Sequence, residues 1–308
     1  MTNIAIIDIG SNSVRIRISS NGNVFFRETV TTQLAKDMAG GKLAYKSVIR
    51  TFEGLDRLIF KAKECNAEIF AFATAAVRNS TNGKDFTDEF FRRYGFEVDV
   101  LSGEAESETG INGAIGNGDG TVIDVGGAST EIAVKTNGKI VYARSVPVGA
   151  VVLTDNAQRD LEKAKAFLTP IIEKFGDVPV CFSGESYKAG DRIIGNGGKV
   201  YSIGGTATSI SFMMSGDITY DRDRNHGRLI GSKALFDFCE LLYSMTSEEI
   251  ENRFRIPKKR ADIIHSGTLI LSTVLGYIGS DCAIVSENDN LEGYYEYIMG
   301  KKYGETQK

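Results

Sequence analysis

Two stretches of the chain combine carboxylates, glycines and small hydroxyl residues at spacings that suit phosphate chemistry. The first to draw notice, Val122–Val134, reads VIDVGGASTEIAV. An apolar run leads into Asp124. The paired glycines Gly126 and Gly127 follow, then Ser129, Thr130 and a second carboxylate, Glu131. The pattern predicts strand, tight turn, strand, with Asp124 at the end of the first strand. Glycine lets the backbone turn sharply and approach a ligand closely. Successive amide N–H groups in such a turn form a concave donor site for phosphate oxygens. A carboxylate beside them would hold a hard divalent cation that neutralises the phosphate charge. For one isolated copy an ordinary hairpin is the simpler reading.

The stretch is not isolated. Ile6–Ile18 reads IIDIGSNSVRIRI and aligns without gaps, matching Ile7 to Ile123, Asp8 to Asp124, Gly10 to Gly126, Ser13 to Ser129 and Ile16 to Ile132. Such an internal repeat predicts two similar domains, each opening with the same phosphate-facing hairpin. Two such turns facing one another across a cleft would grip a phosphate chain from both sides. Arg15 stands in the slot occupied by Glu131 in the second copy. One copy thus offers a cation to phosphate, the other a carboxylate to metal or water.

Further candidates sit at the ends of other elements. The apolar run Glu68–Thr74 predicts a buried parallel strand, and Arg78 follows it. That arginine is either a phosphate ligand at a strand end or a solvated residue at a helix start. Ser102–Gly110, SGEAESETG, carries Glu104, Glu106 and Glu108. These form either the solvated first turn of a helix, favoured by its dipole, or supply one carboxylate to orient a water. Val200–Ser209 turns at Gly204 and Gly205 into Thr206, with Thr208 and Ser209 opening a helix. It is a phosphate- or nucleotide-type turn or a plain strand-to-helix turn.

The elements that position these groups follow from periodicity. Ala44–Asn66 has helical spacing, with Val48, Phe52, Leu55, Leu58, Ile59 and Ala62 on one face. Strands are expected at Val24–Val30, Phe96–Leu101, Ile140–Pro147, Val178–Phe182 and Cys282–Ser286. Helices are expected at Asp85–Tyr94, Asp160–Phe175, Leu235–Leu242, Ser247–Asn252, Ala261–Leu275 and Glu292–Met299, with Arg222–Arg228 a loop and a loose tail from Lys301. Gly113–Gly120, with four glycines, is the best linker. The domains are therefore placed at 1–117 and 118–308, with the last helix packing back on the first.

Composition bounds the function. A length of 308 residues suits two domains. The net charge of −4 gives no global field for a polyanion, so cations must be gathered locally or supplied by metal. Nucleic acid and membrane are not expected as partners: no run is long enough to span a bilayer. The N-terminus enters a strand directly, which argues against a signal peptide. Cys65, Cys181, Cys239 and Cys282 show no CxxC spacing and read as buried thiols of a cytoplasmic protein. His226 and His265 lack a ligand-like setting, so both read as structural or surface residues.

Taken together, IIDIGSNSVRIRI, ATAAVRN, SGEAE, VIDVGGASTEI, SVPVG, SIGGTATS, RADIIHSGTLIL and the VSEN…LEG region resemble the Ppx/GppA family of exopolyphosphatases and guanosine pentaphosphate phosphohydrolases, in family order from end to end. The resemblance implies an α/β fold of two actin-like (ribonuclease H-like) domains with a cleft between them. It implies Mg²⁺-dependent hydrolysis of the terminal phosphoanhydride of polyphosphate or of the 5′-γ-phosphate of guanosine pentaphosphate (pppGpp), in a cytoplasmic protein. By resemblance, Glu106 falls on the catalytic carboxylate, Asp124 on the metal-side aspartate and Glu131 on its distal glutamate. Gly126 and Ser129 fall on the second phosphate loop. Asp8, Gly10, Ser11, Asn12, Ser13 and Arg15 fall on the first, and Arg78 on the family arginine. The chain departs from the pattern where paired glutamates are reduced to Ala105–Glu106 and where GLREG appears as DNLEG, without its arginine. It ends where longer members add a further helical domain. A homodimer is compatible with the resemblance. A non-catalytic alarmone or nucleotide sensor, a kinase of the same superfamily and an actin-like filament protein are the competing classes.

Overall fold

The computed structural model describes residues 2–180, 186–189, 192–196 and 199–303. The chain forms two compact units: Met1–Glu106 with Tyr294–Lys308, and Ser107–Gly293. The division falls after Glu106, inside a helix, whereas the sequence suggested a boundary after Asn117. The glycine-rich stretch expected as linker begins as helix and ends as strand.

The first unit is built on β1 (Asn3–Ile9), β2 (Ser13–Ser20), β3 (Asn23–Thr31), β4 (Ala67–Ala73) and β5 (Asp99–Val100). Their order is β3-β2-β1-β4-β5. β1 runs antiparallel to β2 and parallel to β4. It sits at the centre, and its residues Ile4, Ala5, Ile6, Ile7 and Ile9 are all buried, which explains the unbroken apolar run. The helices are α1 (Tyr45–Glu64), α2 (Ala75–Arg78), α3 (Gly83–Tyr94) and the first turn of α4 (Gly103–Ile115). The predicted face of α1 is buried at Phe52, Leu55, Leu58, Ile59 and Ala62. Phe52 stacks on Phe86 at 5.0 Å, and Phe90 meets Tyr94 and Phe96 edge-on.

The second unit holds β6 (Gly120–Val125), β7 (Thr130–Thr136), β8 (Lys139–Val146), α5 (Ala150–Ala157) and α6 (Leu161–Ile172) with a tight turn at Glu173–Phe175. A two-stranded ribbon follows, β9 (Ser186–Ala189) with β10 (Arg192–Asn196). Then come β11 (Val200–Ile203), α7 (Gly204–Ser215), α8 (Arg222–Asn225), β12 (Leu229–Gly231), α9 (Ser232–Tyr243), α10 (Ser247–Phe254), α11 (Lys258–Ala261), α12 (Ile264–Tyr277) and β13 (Cys282–Val285); α13 (Asn290–Tyr303) begins in this unit and belongs to the first from Tyr294 on. The sheet order is β12-β13-β11-β6-β7-β8. β6 takes the place that β1 has in the first unit, antiparallel to β7 and parallel to β11. The sequence repeat is thus a repeat of whole mixed sheets, and the two units are the expected actin-like domains.

Several expectations needed correction. α5 was not foreseen: its N-cap is Gly149, without a capping side chain, so the usual start signal is missing. α7 begins at Gly204, not at Thr208. The Arg222–Arg228 loop contains a helical turn capped by Asp221. β5 is only Asp99–Val100. Val178–Val180 is not a strand, and Cys181 and Phe182 lie outside the described residues. α13 runs on through Lys301 to Tyr303. Among the described residues no helix is long and apolar enough to cross a membrane.

His265 is a structural residue of α12. It is buried, with Nε2 3.0 Å from the Gln158 carbonyl and its ring edge-on to Tyr243. Burial pushes its pKa down from 6.5 to about 4. The unfolded chain therefore binds a proton below 6.5 that the folded chain refuses until about 4. Stability should fall as pH drops through that window, by about 3 kcal/mol. Denaturant unfolding at pH 7 and pH 4.5 should show this loss in the wild type and a clearly smaller loss in His265→Gln.

Candidate active site

In the first unit the turn between β1 and β2 is set by a close contact. The Gly10 amide donates to the Ser13 carbonyl at 3.0 Å, and a Cβ on Gly10 would lie 3.0 Å from that oxygen. Gly10 is therefore needed for close approach. The turn's outward carbonyls are taken up by the segment after β3: Thr32 and Gln33 donate to the Asn12 carbonyl, Ala35 to that of Ser11. Ser11, Asn12 and Ser13 are all buried. Register pairs Asp8 directly with Arg15, so the two side chains share a face. Arg15 Nε donates to Asp8 Oδ2 at 2.9 Å, and a second guanidinium nitrogen reaches the same oxygen. The cation expected to meet phosphate is thus already neutralised by its strand neighbour.

α4 resolves the three glutamates. Glu104 and Glu108 are exposed, whereas Glu106 is 7% exposed. Arg78 Nη1 donates to Glu106 Oε2 at 2.7 Å and to the Leu101 carbonyl at 2.8 Å. Arg78 is therefore not a solvated helix-start residue. Burial pushes the Glu106 carboxyl above its usual range. Arg78 opposes that shift, the Asp8 charge adds to it, and a hydrogen bond from Thr74 opposes it. A buried carboxylate held by one arginine and kept basic has the character of a general base.

The second unit repeats the turn. The Gly126 amide donates to the Ser129 carbonyl at 3.0 Å, and a Cβ on Gly126 would lie 3.1 Å from it. Here the outward carbonyls cap a helix. Ala150 donates to Gly126, and Val151 and Val152 to Gly127. Gly149 makes this fit possible: a Cβ there would lie 2.4 Å from the Gly127 carbonyl carbon and 2.6 Å from the Gly126 oxygen. Register pairs Asp124 with Glu131. Glu131 is 2% exposed and accepts from the Ser145 hydroxyl at 2.6 Å. Asp124 Oδ2 accepts from Asn290 Nδ2 at 3.0 Å. Its Oδ1 lies 2.6 Å from where a Cβ of Gly204 would be, and Gly204 has φ +78°. Both close approach and backbone sign demand glycine there.

In the Gly204–Thr206 turn the Thr206 hydroxyl donates to the Val125 carbonyl at 2.7 Å and is buried, so it holds the end of β6. Ser129 is also buried. A Cβ on Gly205 would lie 2.4 Å from Arg260 Nη2, which sets a guanidinium against the start of α7. Asn290, Arg260, Ser145, Gly149 and Thr74 also belong to these surroundings, and all lie in the family-like stretches. Asn290 stands in DNLEG, where the family pattern breaks, and no residue type or spacing pointed to its partner.

Among the described residues no group of three or more His, Cys, Asp or Glu side chains gathers. Asp124 and Glu131, opposite one another on neighbouring strands, offer oxygen ligands only. That set fits Mg²⁺, which is commonly bound by one or two carboxylates and completes its shell with water and phosphate oxygens.

A family model described as the Ppx/GppA phosphatase family matches residues 16–299. The bifunctional 3-dehydroquinate synthase/phosphatase of Fusobacterium nucleatum is 28% identical over 94% of this chain, which spans 45% of that protein. The exopolyphosphatase 2 of Mycobacterium tuberculosis is 25% identical over 97% of this chain and 99% of its own. The crystal structure of the Aquifex aeolicus Ppx/GppA family member superposes with a TM-score of 0.75 at 25% identity, covering 98% of this chain and 99% of that one. With the match running from β2 through the second hairpin and into α13, over nearly the whole chain, this chain belongs to the Ppx/GppA phosphatase family.

Proposed function

We propose that the chain is an exopolyphosphatase that hydrolyses the terminal phosphoanhydride of inorganic polyphosphate with Mg²⁺ as cofactor. The observation that supports this most directly is Glu106, a buried carboxylate paired with Arg78 and raised in basicity. Phosphoryl transfer asks for positioning and charge neutralisation more than for covalent chemistry. Glu106 would take a proton from the attacking water. The water oxygen bonds to the terminal phosphorus, the anhydride P–O bond breaks, and the shortened chain leaves with its electron pair. Arg78 would orient Glu106 and keep it charged. The turn amides of residues 10–13 and 126–129 would hold phosphoryl oxygens. Asp124 and Glu131 would hold Mg²⁺, which when bound neutralises phosphate charge.

Polyphosphate is preferred over guanosine pentaphosphate because the exopolyphosphatase relative aligns over nearly its whole length. The chemistry at the terminal phosphorus is the same for both. Phosphate release from long-chain polyphosphate, a short oligophosphate and guanosine pentaphosphate, with and without Mg²⁺, ranks the substrates. No release from any of them, with nucleotide still bound, would leave a sensor.

Glu106→Gln should lower metal-dependent release by about a hundredfold to ten-thousandfold while leaving substrate binding in place. Because the base must be ionised, the acidic limb of kcat/KM should lie above the ordinary carboxylate range. Arg78→Gln removes the cation that opposes the shift, so that limb should move up, with activity recovering at high pH. A pH–rate profile of both proteins checks this; a uniform loss at every pH would contradict it. Gly149→Ala should push the 126–129 turn out of place and cut kcat by about a hundredfold with the fold retained, as read by single-turnover kinetics and circular dichroism.

A further inference from the structure

Asn290 is built into the site around Asp124 more firmly than a residue that merely begins a helix. It is the first residue of α13 and 4% exposed. Its position is fixed by a reciprocal cap. The Asp289 carboxylate accepts from the Leu291 amide at 3.0 Å, and the Asp289 amide donates to Glu292 Oε2 at 2.9 Å. This is the logic of a capping box with aspartate in the hydroxyl's place. Glycines clear space for it. A Cβ on Gly110 would lie 3.1 Å from Asn290 Oδ1. A Cβ on Gly113 would lie 2.0 Å from the Asp289 carbonyl, and one on Gly293 1.8 Å from that of Thr109. The start of α13 and the middle of α4 touch backbone to backbone.

The carboxamide is oriented by chemistry. Nδ2 donates to Asp124 Oδ2 at 3.0 Å. Only the amide nitrogen can donate to a carboxylate, so Oδ1 faces the other way. That oxygen is buried and meets no donor among the described residues. A buried acceptor without a donor is costly, and its persistence beside a carboxylate calls for an explanation. Asn290 thus pins the Asp124 carboxylate with Nδ2, while Oδ1 is packed against Gly110 of α4.

We propose that Asn290 is a positioning residue for the metal carboxylate Asp124, which its Nδ2 donor holds in one orientation for a divalent cation. This rests on the Mg²⁺ reading above and adds a member to the site that the family pattern does not supply, since GLREG is DNLEG here.

The test is Mn²⁺ binding to the substrate-free full chain, followed by electron paramagnetic resonance, together with the Mg²⁺ concentration that half-saturates phosphate release. Asn290→Leu keeps the shape and removes both polar atoms. It should weaken Mn²⁺ binding and raise the half-saturating Mg²⁺ by about tenfold to a hundredfold. Asn290→Ser keeps a donor on a shorter side chain and should retain more of the Mn²⁺ binding than Asn290→Leu. A purely structural role would leave the metal dependence where it is. Unchanged metal dependence in Asn290→Leu, with the wild type binding Mn²⁺, overturns the inference alone. If Asn290→Leu does not fold, Mn²⁺ binding and half-saturating Mg²⁺ in Asn290→Ala equal to those of the wild type overturn it equally. A wild type that binds no Mn²⁺ and releases phosphate without metal overturns the Mg²⁺ reading and this inference with it.

Discussion

The buried pair of Glu106 and Arg78 constrains much of the first unit. A carboxylate taken out of water stays ionised only if a cation and hydrogen bonds replace what water supplied. Arg78 does this from α2, anchored also to the Leu101 carbonyl. Thr74, the residue before α2, adds a further hydrogen bond. The short helix α2, the end of β4, the residues after β5 and the first turn of α4 must therefore keep a fixed arrangement, or a charge is left buried and unpaired. Breaking such a pair typically costs about 3–5 kcal/mol. The same burial that makes the pair demanding keeps Glu106 basic, so the structural requirement and the chemical one coincide in one contact.

The second organising device is the repeated turn. In both copies a glycine amide closes onto the carbonyl of the serine three residues on. In both, the turn's remaining carbonyls are taken by amides from another segment: 32–35 in the first, the start of α5 in the second. Occupying the carbonyls from behind leaves a backbone whose unsatisfied character is that of N–H donors, as an anion site requires. The copies diverge at one register position. Arg15 faces Asp8 where Glu131 faces Asp124. The first turn is thereby flanked by a neutral pair and the second by two carboxylates.

The parts of this design that obey local rules were legible in the sequence. The repeated hairpin, the amphipathic face of α1 and the buried runs of β1 and β4 follow from spacing and composition. The inward turn of Glu106 was not legible from local chemistry, and the family resemblance alone singled it out. Glu104, Glu106 and Glu108 are equivalent as local chemistry, and only packing against Arg78 separates them. α5 was hidden because its cap is tertiary, the carbonyls of Gly126 and Gly127 replacing a side-chain signal. The bond of the Thr206 hydroxyl to the end of β6 was hidden in the same way, since Val125 is remote from it in sequence. Asn290 could not be found from its neighbours at all, since its partner Asp124 is remote in sequence. Long-range pairing of this kind leaves no periodic trace.

The charge balance of each unit argues for a cation supplied from outside the chain. In the first, Asp8 and Glu106 are matched by Arg15 and Arg78, and both arginines are committed to those carboxylates. Little positive charge remains there for a polyanion. In the second, Asp124 and Glu131 outnumber Arg260 among the charged groups named at the turns. A phosphate chain approaching these turns would find donor amides but no net positive field, in a protein whose overall charge is −4. Amide dipoles are worth little against several phosphate charges unless a counter-ion is present. The proposed Mg²⁺ would supply that charge at the carboxylate pair. Asn290 holds the Asp124 carboxylate with a neutral donor, which leaves the negative charge of the pair for a cation.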